Sequence, residues 1–231
     1  MKITCISDTH AYHHITQIEP CDVLVHAGDY STMGGLREIS SLFDWFDRQP
    51  CNHVVTCCGN HDFGIQNHPD VFNQEILEPV SGKIHYLELA SYYFPGSVTI
   101  EGVTFTGSPW TPYYFNWAFN FPRRDINSHE IAKAHWDLIP QETNVLLTHG
   151  PPYSILDKTE DGRYVGCPAL NERILELSDL KAHVFGHIHK SYGQVTLGDV
   201  LYVNASQKDI DYRSHNRPFT FTLGEDESLE T

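Results

Sequence analysis

Seven residues of metal-binding type stand where short apolar runs end: Asp8, His10, Asp29, Asn60, His149, His187 and His189. They fall in five motifs, Asp8-Thr9-His10, Gly28-Asp29, Gly59-Asn60-His61-Asp62, His149-Gly150 and Gly186-His187-Ile188-His189. In extended chain, residues two apart point to one side, so Asp8 with His10 and His187 with His189 can each present two donors to one place. Glycine adjoins four of the five motifs, and it lets backbone pass close to an ion without a Cβ clash. Two buried carboxylates such as Asp8 and Asp29 do not both stay ionised side by side in a low dielectric unless a cation compensates them. Carboxylate oxygen, amide oxygen and imidazole nitrogen, with no thiolate, suit Mn first, then Fe, Zn, Co or Ni, better than Ca or Mg alone.

The elements that must position these residues are legible in the apolar pattern. The runs KITCIS, DVLVHAG and HVVTCCG read as buried strands. Between the second and third, Leu36, Ile39, Leu42, Phe43 and Phe46 recur at helical spacing with Pro50 close behind, which predicts an amphipathic helix and hence a parallel strand pair. From about residue 84 the pattern turns to strands: KIHYLEL, then SVTI and VTFTGS joined by Glu101-Gly102 as a hairpin. SHEIAKAHWDLIP predicts a helix with Ser128 as N-cap, and CPALNERILEL a helix with Pro168 in its first turn. TNVLLTHG and AHVFGHIH read as further buried strands, and LYVNAS and PFTFTL as the completion of a second sheet. Ligands bind beyond the carboxyl ends of parallel strands, so the five motifs can form one site.

The chain has 231 residues, 40% of them hydrophobic, which predicts a single domain over 1–231. Thirty acidic residues against 15 basic ones leave a net charge of -15, a surface field that argues against nucleic acid and acidic membranes as partners. MKITCISDTH runs straight into a strand with no apolar signal region, and no eighteen uncharged apolar residues follow one another, so neither secretion nor a membrane span is expected. Six cysteines lie in or beside apolar runs, which predicts buried thiols, the vicinal Cys57-Cys58 included, in a reducing, cytoplasmic compartment. The segment SPWTPYYFNWAFNFPRR has no clean period and reads as a functional loop. Its aromatics, Trp110 to Phe121, could stack on a nucleobase, pack beneath the loop, or form a homodimer contact. Arg123 and Arg124 could hold a phosphate or a base, the alternative being a solvated surface pair. Among the other histidines, His26 reads as a core or sheet-edge residue and His13 as solvent-facing.

The ordered set D-x-H, GD, GNHD, HG and GHIH, from Asp8 to His189, resembles the calcineurin-like metallophosphoesterase superfamily. The stretches DVLVHAGD, GSPWTPYYFNWAFN, LLTHGPP and HVFGHIHKSYG are similar to its small phosphodiesterase branch, which includes the metallophosphoesterase-domain-containing proteins. This resemblance implies a four-layer αββα sandwich of two mixed β-sheets flanked by helices. It implies two divalent ions, one held by Asp8, His10, Asp29 and His189 and the other by Asp29, Asn60, His149 and His187, with Asp29 bridging. Some members of the branch lack the first His of the last motif; His187 is present here, so both ion sites are expected to fill. The implied activity is that of a dimetal phosphoesterase acting on small phosphodiesters, among them cyclic nucleotides such as 2′,3′-cAMP or 3′,5′-cAMP, by attack of a metal-bridged hydroxide on phosphorus. His61 would protonate the leaving oxygen or stabilise the transition state, and Asp62 would orient His61. Asn60 and His61 would meet substrate, joined by Trp110 and Arg123. The alternatives are a phosphomonoesterase and a non-catalytic scaffold of the same fold. The Ser/Thr phosphatases of the superfamily continue GD with Asp-Arg-Gly, whereas Tyr30-Ser31-Thr32 follows Asp29 here.

Overall fold

Strands buried on both faces need near-continuous apolar sequence, and the runs noted above supply it. The structure is a computed structural model that describes residues 1–80, 82–87, 95–122, 127–224 and 229–230. Strands β1 (Lys2–Ile6), β2 (Cys21–His26), β3 (Cys51–Thr56) and β4 (Ile84–Tyr86) lie parallel, side by side in that order. The hairpin of β5 (Gly96–Ile100) and β6 (Val103–Ser108) opens the second sheet. Its turn residues Glu101 and Gly102 both have positive φ, 49° and 85°, as the tight hairpin requires. A two-stranded ribbon, β7 (Thr111–Pro112) with β8 (Asn120–Phe121), ties the two ends of the aromatic loop together. The second sheet continues with β9 (Val145–Thr148), β10 (Ala182–Phe185), β11 (Gly193–Leu197) and β12 (Val200–Asn204), in the spatial order β11-β12-β10-β9-β6-β5.

The last strands, β13 (Phe219–Leu223) and β14 (Leu229–Glu230), correct one expectation. PFTFTL joins the first sheet, not the second, running antiparallel against β1 with Cys5 opposite Phe219. The second sheet is already closed at that side by the β11–β12 hairpin, while β1 has a free edge to pair. Both sheets are therefore mixed, each with a parallel centre and antiparallel strands added.

Alternation along each strand sorts the apolar residues into three layers. Ile3, Cys5, Val23, Val25, Val55 and Cys57 face Phe105, Val145, Leu147, Val184 and Val203 of the other sheet. Ile6, Leu24, Val54 and Cys58 face outward under α1 (Leu36–Asp47), whose Ile39, Leu42, Phe43 and Phe46 are fully buried there. Two further turns of helix, α2 (Phe63–Asn67) and α3 (Pro69–Phe72), add Ile65 and Phe72 to that layer. On the far side α4 (Ser128–Trp136) and α5 (Pro168–Ile174) cover Leu146, Phe185 and Tyr202. The order helix, sheet, sheet, helix is the αββα sandwich.

Asn127, not Ser128, occupies the N-cap of α4, since its φ of -101° and ψ of 8° leave the helical range just before Ser128. Cys57 and Cys58 are both buried, the first between the sheets and the second in the layer under α1. His13, expected at the surface, is buried against Trp45 with its Nε2 3.3 Å from the Ser41 hydroxyl. Among the described residues no helix is long and apolar enough to cross a membrane.

Phe46 carries the α1 layer and is fully buried, whereas Leu175 is 81% exposed. Phe46→Ala is expected to cost about 3–5 kcal/mol and Leu175→Ala less than about 0.5 kcal/mol, both read from denaturant unfolding. Equal costs would contradict the layer assignment.

Candidate metal centre

Every candidate ligand sits just past the carboxyl end of a parallel strand, and the two sheets present those ends to one another. His149 joins them: its Nδ1–H donates to the Ala27 carbonyl past β2 at 2.9 Å, and its own carbonyl accepts the Gly186 N–H past β10 at 3.0 Å. The His187 N–H reaches across to the Asp8 carboxylate at 3.1 Å. Asp8, His10, Asp29 and His187 all hold positive φ, between 43° and 68°, a conformation that non-glycine residues keep only when the surroundings over-determine it. The chain thus turns sharply at each ligand, and the side chains converge inward.

Asp8, His10, Asp29, Asn60 and His149 are buried, none more than 4% exposed. Three groups have ligand atoms within 4.8 Å of one another: Asp8 with His10 and His189, Asp8 with Asp29 and His149, and His10 with Asp29 and His61. The two oxygens of Asp29 face different ways. Its Oδ1 lies 3.3 Å from His149 Nε2, and its Oδ2 lies 3.7 Å from His10 Nε2. Asn60 Oδ1 is 2.8 Å from His149 Nε2, and Asp8 Oδ1 is 3.4 Å from His189 Nε2. The His187 ring packs 5.0 Å from that of His149.

The orientation of the imidazoles indicates what the centre holds. His10 donates Nδ1–H to the Ser31 carbonyl at 3.1 Å, His149 to Ala27, and His189 to Asp209 at 3.2 Å. A carbonyl only accepts, so each ring carries a proton on Nδ1 and turns Nε2 inward, where it can bind a cation once any proton on it is shed; such outer carbonyls are the usual supports of metal-binding histidines. His10 Nε2 and His189 Nε2 face each other at 3.4 Å, a contact that a shared cation relieves. The residues present therefore fit a pair of divalent ions.

Burial alone would raise the Asp8 carboxyl, yet the hydrogen bond and charge of His189 hold it well below the usual range. Asp29 is likewise held low against burial, chiefly by His149. Burial opposes protonation of His149, but Asp29 outweighs it and lifts the ring to about 9. His10 and His187 are pushed down by burial, to about 4 and about 3. The protein alone thus balances its buried carboxylates with a proton on His149, which a dication would displace, and Asp8 shifts His189 the same way.

His61 stands against the Asp29 carboxylate. Its N–H donates to Asp29 Oδ1 at 2.8 Å, its Nδ1–H to the Thr32 carbonyl at 2.7 Å, and its Nε2 stands 3.9 Å from Asp29 Oδ2. Asp62 does not orient that ring. Its carboxylate accepts the N–H groups of Tyr30, Ser31 and Gly59 and the Ser31 hydroxyl, at 2.8 to 3.2 Å. It is spent on pinning the Asp29 loop to the Asn60 loop, and the Thr32 carbonyl takes the orienting role. Burial, with the charge of Asp29, pushes Asp62 up to about 7.

A cavity of about 270 Å³ opens over Asp29, Asn60, His61, His187 and His189, with Tyr114, Trp117, Thr159, Arg163 and Tyr212 around its mouth. Trp110 is not among its lining residues. Trp110 stacks on Phe121 at 5.1 Å and packs between the outer layers, because it precedes the β7–β8 ribbon and faces under the loop. Trp117, at the far side of the loop, lies 3.9 Å from the His61 ring instead. The aromatic segment thus does two jobs, packing with Trp110, Phe119 and Phe121 and lining the cavity with Tyr114 and Trp117. Arg123 falls outside the described residues. Sequence reasoning missed Arg163 and Tyr212; each stands in a polar turn, Glu160-Asp161-Gly162 and Asp209-Ile210-Asp211, with nothing to mark it.

The sequence model of the family described as calcineurin-like phosphoesterase matches residues 1–191, all the candidate ligands included. The chain belongs to that family. This calcineurin-like phosphoesterase is 32% identical to the human metallophosphoesterase domain-containing protein 1 over 96% of this chain and 71% of that one. It is 31% identical to the Caenorhabditis elegans UPF0046 protein K07C11.7, over 96% and 75%. A dimetal phosphatase from Danio rerio shares the fold at a TM-score of 0.54 and 11% identity, over 97% of this chain and 93% of that one. Membership makes the chain a metal-dependent phosphoester hydrolase by class, and the donor arrangement agrees with the family's two divalent ions.

A Cβ at Gly186 would overlap Asp8 Oδ2 and Ser7 Oγ, and one at Gly59 would overlap Asp29 Oδ1. Gly186→Ala is expected to lower Mn²⁺ affinity by about tenfold or more, measured by calorimetric titration; unchanged affinity would refute the close approach. Bound metal needs neutral imidazole, and His149 keeps its proton up to about 9. Mn²⁺ affinity should therefore rise with pH from 6 to 9 and binding should release protons, seen as a dependence of the heat on buffer ionisation enthalpy.

Proposed function

We propose that this protein hydrolyses small phosphodiesters, cyclic nucleotides included, with Mn²⁺ as the first choice of metal among Mn, Fe, Zn, Co and Ni. Asp8, His10, Asp29 and His189 would hold one ion and Asp29, Asn60, His149 and His187 the other, with Asp29 shared between them. When bound, such a pair lowers the pKa of water and clamps the phosphate oxygens. His61 is anchored through Nδ1 and free at Nε2, so that it can carry a proton at Nε2 toward the leaving oxygen. Asn60 and His61 both line the cavity and can contact the phosphate. Arg163 is not tied to the metal ligands; it pairs with Asp161 at 2.6 Å at the mouth.

The observation that carries the diester reading is the makeup of that mouth. It has aromatic walls in Tyr114, Trp117 and Tyr212 and, among the described residues, a single Lys or Arg, Arg163, in its lining. A diester bears one negative charge and a second organic group that needs an apolar wall. A monoester dianion, or a nucleic acid tracking along the surface, would ask for more cations than this acidic protein of net charge -15 supplies.

The decisive measurement compares aryl phosphodiester with aryl phosphomonoester, followed by 2′,3′- and 3′,5′-cyclic nucleotides, on Mn²⁺-loaded protein. The diester should be preferred in kcat/KM by about tenfold or more, a free-energy difference of about 1.4 kcal/mol; monoester preference would overturn the reading. Asp29→Ala should abolish turnover with loss of metal. His61→Ala should cost about 100-fold or more in kcat with both ions retained, an outcome that decides its role because His61 stands close enough to Asp29 and His10 to be a ligand itself. Loss of an ion in that variant would reassign it.

A further inference from the structure

The stretch from residue 205 to 216 lies past the residues matched by the family, yet it closes one side of the metal centre. It is tied to the loop that carries Asp8 and His10. The Gln207 N–H donates to the Ser7 carbonyl at 2.8 Å, and Ser206 pairs with Ser7 as an isolated bridge. Lys208 is buried, with its ammonium 3.8 Å from the centroid of the Tyr12 ring and donating to the Ser214 hydroxyl at 2.7 Å. A desolvated cation over an aromatic face is a strong local lock.

Within this strap Asp209 organises the turn. Its carboxylate accepts the N–H groups of Asp211 and Arg213 at 2.9 Å and the Arg213 guanidinium at 3.0 Å. Its carbonyl is the acceptor that sets the proton of His189. The same turn holds Tyr212 at a φ of 58°, a strained choice for a tyrosine. The ring then lies 4.9 Å from that of His189 and 5.3 Å from that of His10, against the two imidazoles assigned to one ion, while half of the residue stays open to solvent.

We propose that Tyr212 is a positioning residue for the ion site of Asp8, His10, Asp29 and His189: held by the strap, its ring locks both imidazoles and screens that ion from water. The proposal rests on the dimetal reading above. It makes the two ion sites unequal, because the ring packs on the pair of histidines assigned to one of them.

The test is Mn²⁺ titration of metal-free protein by calorimetry in a His187→Ala background, which weakens the second site and isolates the first. Adding Tyr212→Ala should weaken Mn²⁺ binding about tenfold and speed its release to a chelator, while Tyr212→Phe, which keeps the ring, should bind as the parent does. Lys208→Met, which unties the strap from Tyr12 without touching either imidazole, should lower the same affinity by a smaller factor. Equal affinity in Tyr212→Ala and the parent overturns the proposal, as does a rise in KM for the aryl diester with no change in Mn²⁺ affinity. If the His187→Ala parent and the wild type both fail to bind Mn²⁺, the dimetal reading falls and the proposal with it.

Discussion

Two carboxylates, Asp8 and Asp29, are buried within reach of one histidine, His149, at the rim where two sheets meet. A lone carboxylate in such a place is costly to keep charged, and a pair repels itself besides. Everything near them answers that constraint. Backbone N–H groups of His187 and His61 point at them, His149 stays protonated beside them while Asp8 shifts His189 upward, and four ligands accept a strained backbone to reach them. Removing one partner from a buried charged set typically costs about 3–5 kcal/mol. The arrangement is therefore poised for cations, not stabilised by its own ion pairs.

The sandwich serves this centre by bringing carboxyl ends of parallel strands from two sheets to one rim. Each sheet alone could supply only part of the donor set: β1, β2 and β3 lead to the carboxylates, Asn60 and His10, and β9 and β10 lead to His149, His187 and His189. The inter-sheet core of Val25, Val55, Leu147 and Val184 fixes the distance between the two halves. Metal geometry is thus tied to core packing. Gly59 and Gly186 stand where side chains would collide with Asp29 and Asp8, which is how closely the two halves meet.

Around this rigid centre the substrate side is built from less regular parts. The aromatic loop contributes Tyr114 and Trp117, the hairpin pinned by the buried Asp157 contributes Thr159 and Arg163, and the strap contributes Tyr212. These segments come from three distant parts of the chain and carry no metal ligand. The first two can vary the mouth of the site without disturbing the ions, the division of labour expected of loops on a fixed scaffold, whereas the strap also bears on His10 and His189.

The sequence by itself determined the buried central strands, the main helices and the seven candidate ligands, because buried strands need apolar runs and the ligands follow those runs in short motifs. It also determined the class of chemistry, since carboxylate, amide and imidazole donors in that order leave few alternatives. Tertiary structure alone decided which residues do the supporting work. Asp62 sits beside His61 in sequence, yet its carboxylate bonds to the Asp29 loop, and a carbonyl at Thr32 orients His61. Trp110 and Trp117 belong to one aromatic run, but the β7–β8 ribbon turns the first toward packing and the second toward the cavity. PFTFTL has the pattern of any buried strand, and only the free edge of β1 chose its sheet. Tyr212 and the Asp209 carbonyl left no trace in the sequence. Their role depends on where a backbone carbonyl and a ring face end up after folding, and side-chain type and spacing do not encode that.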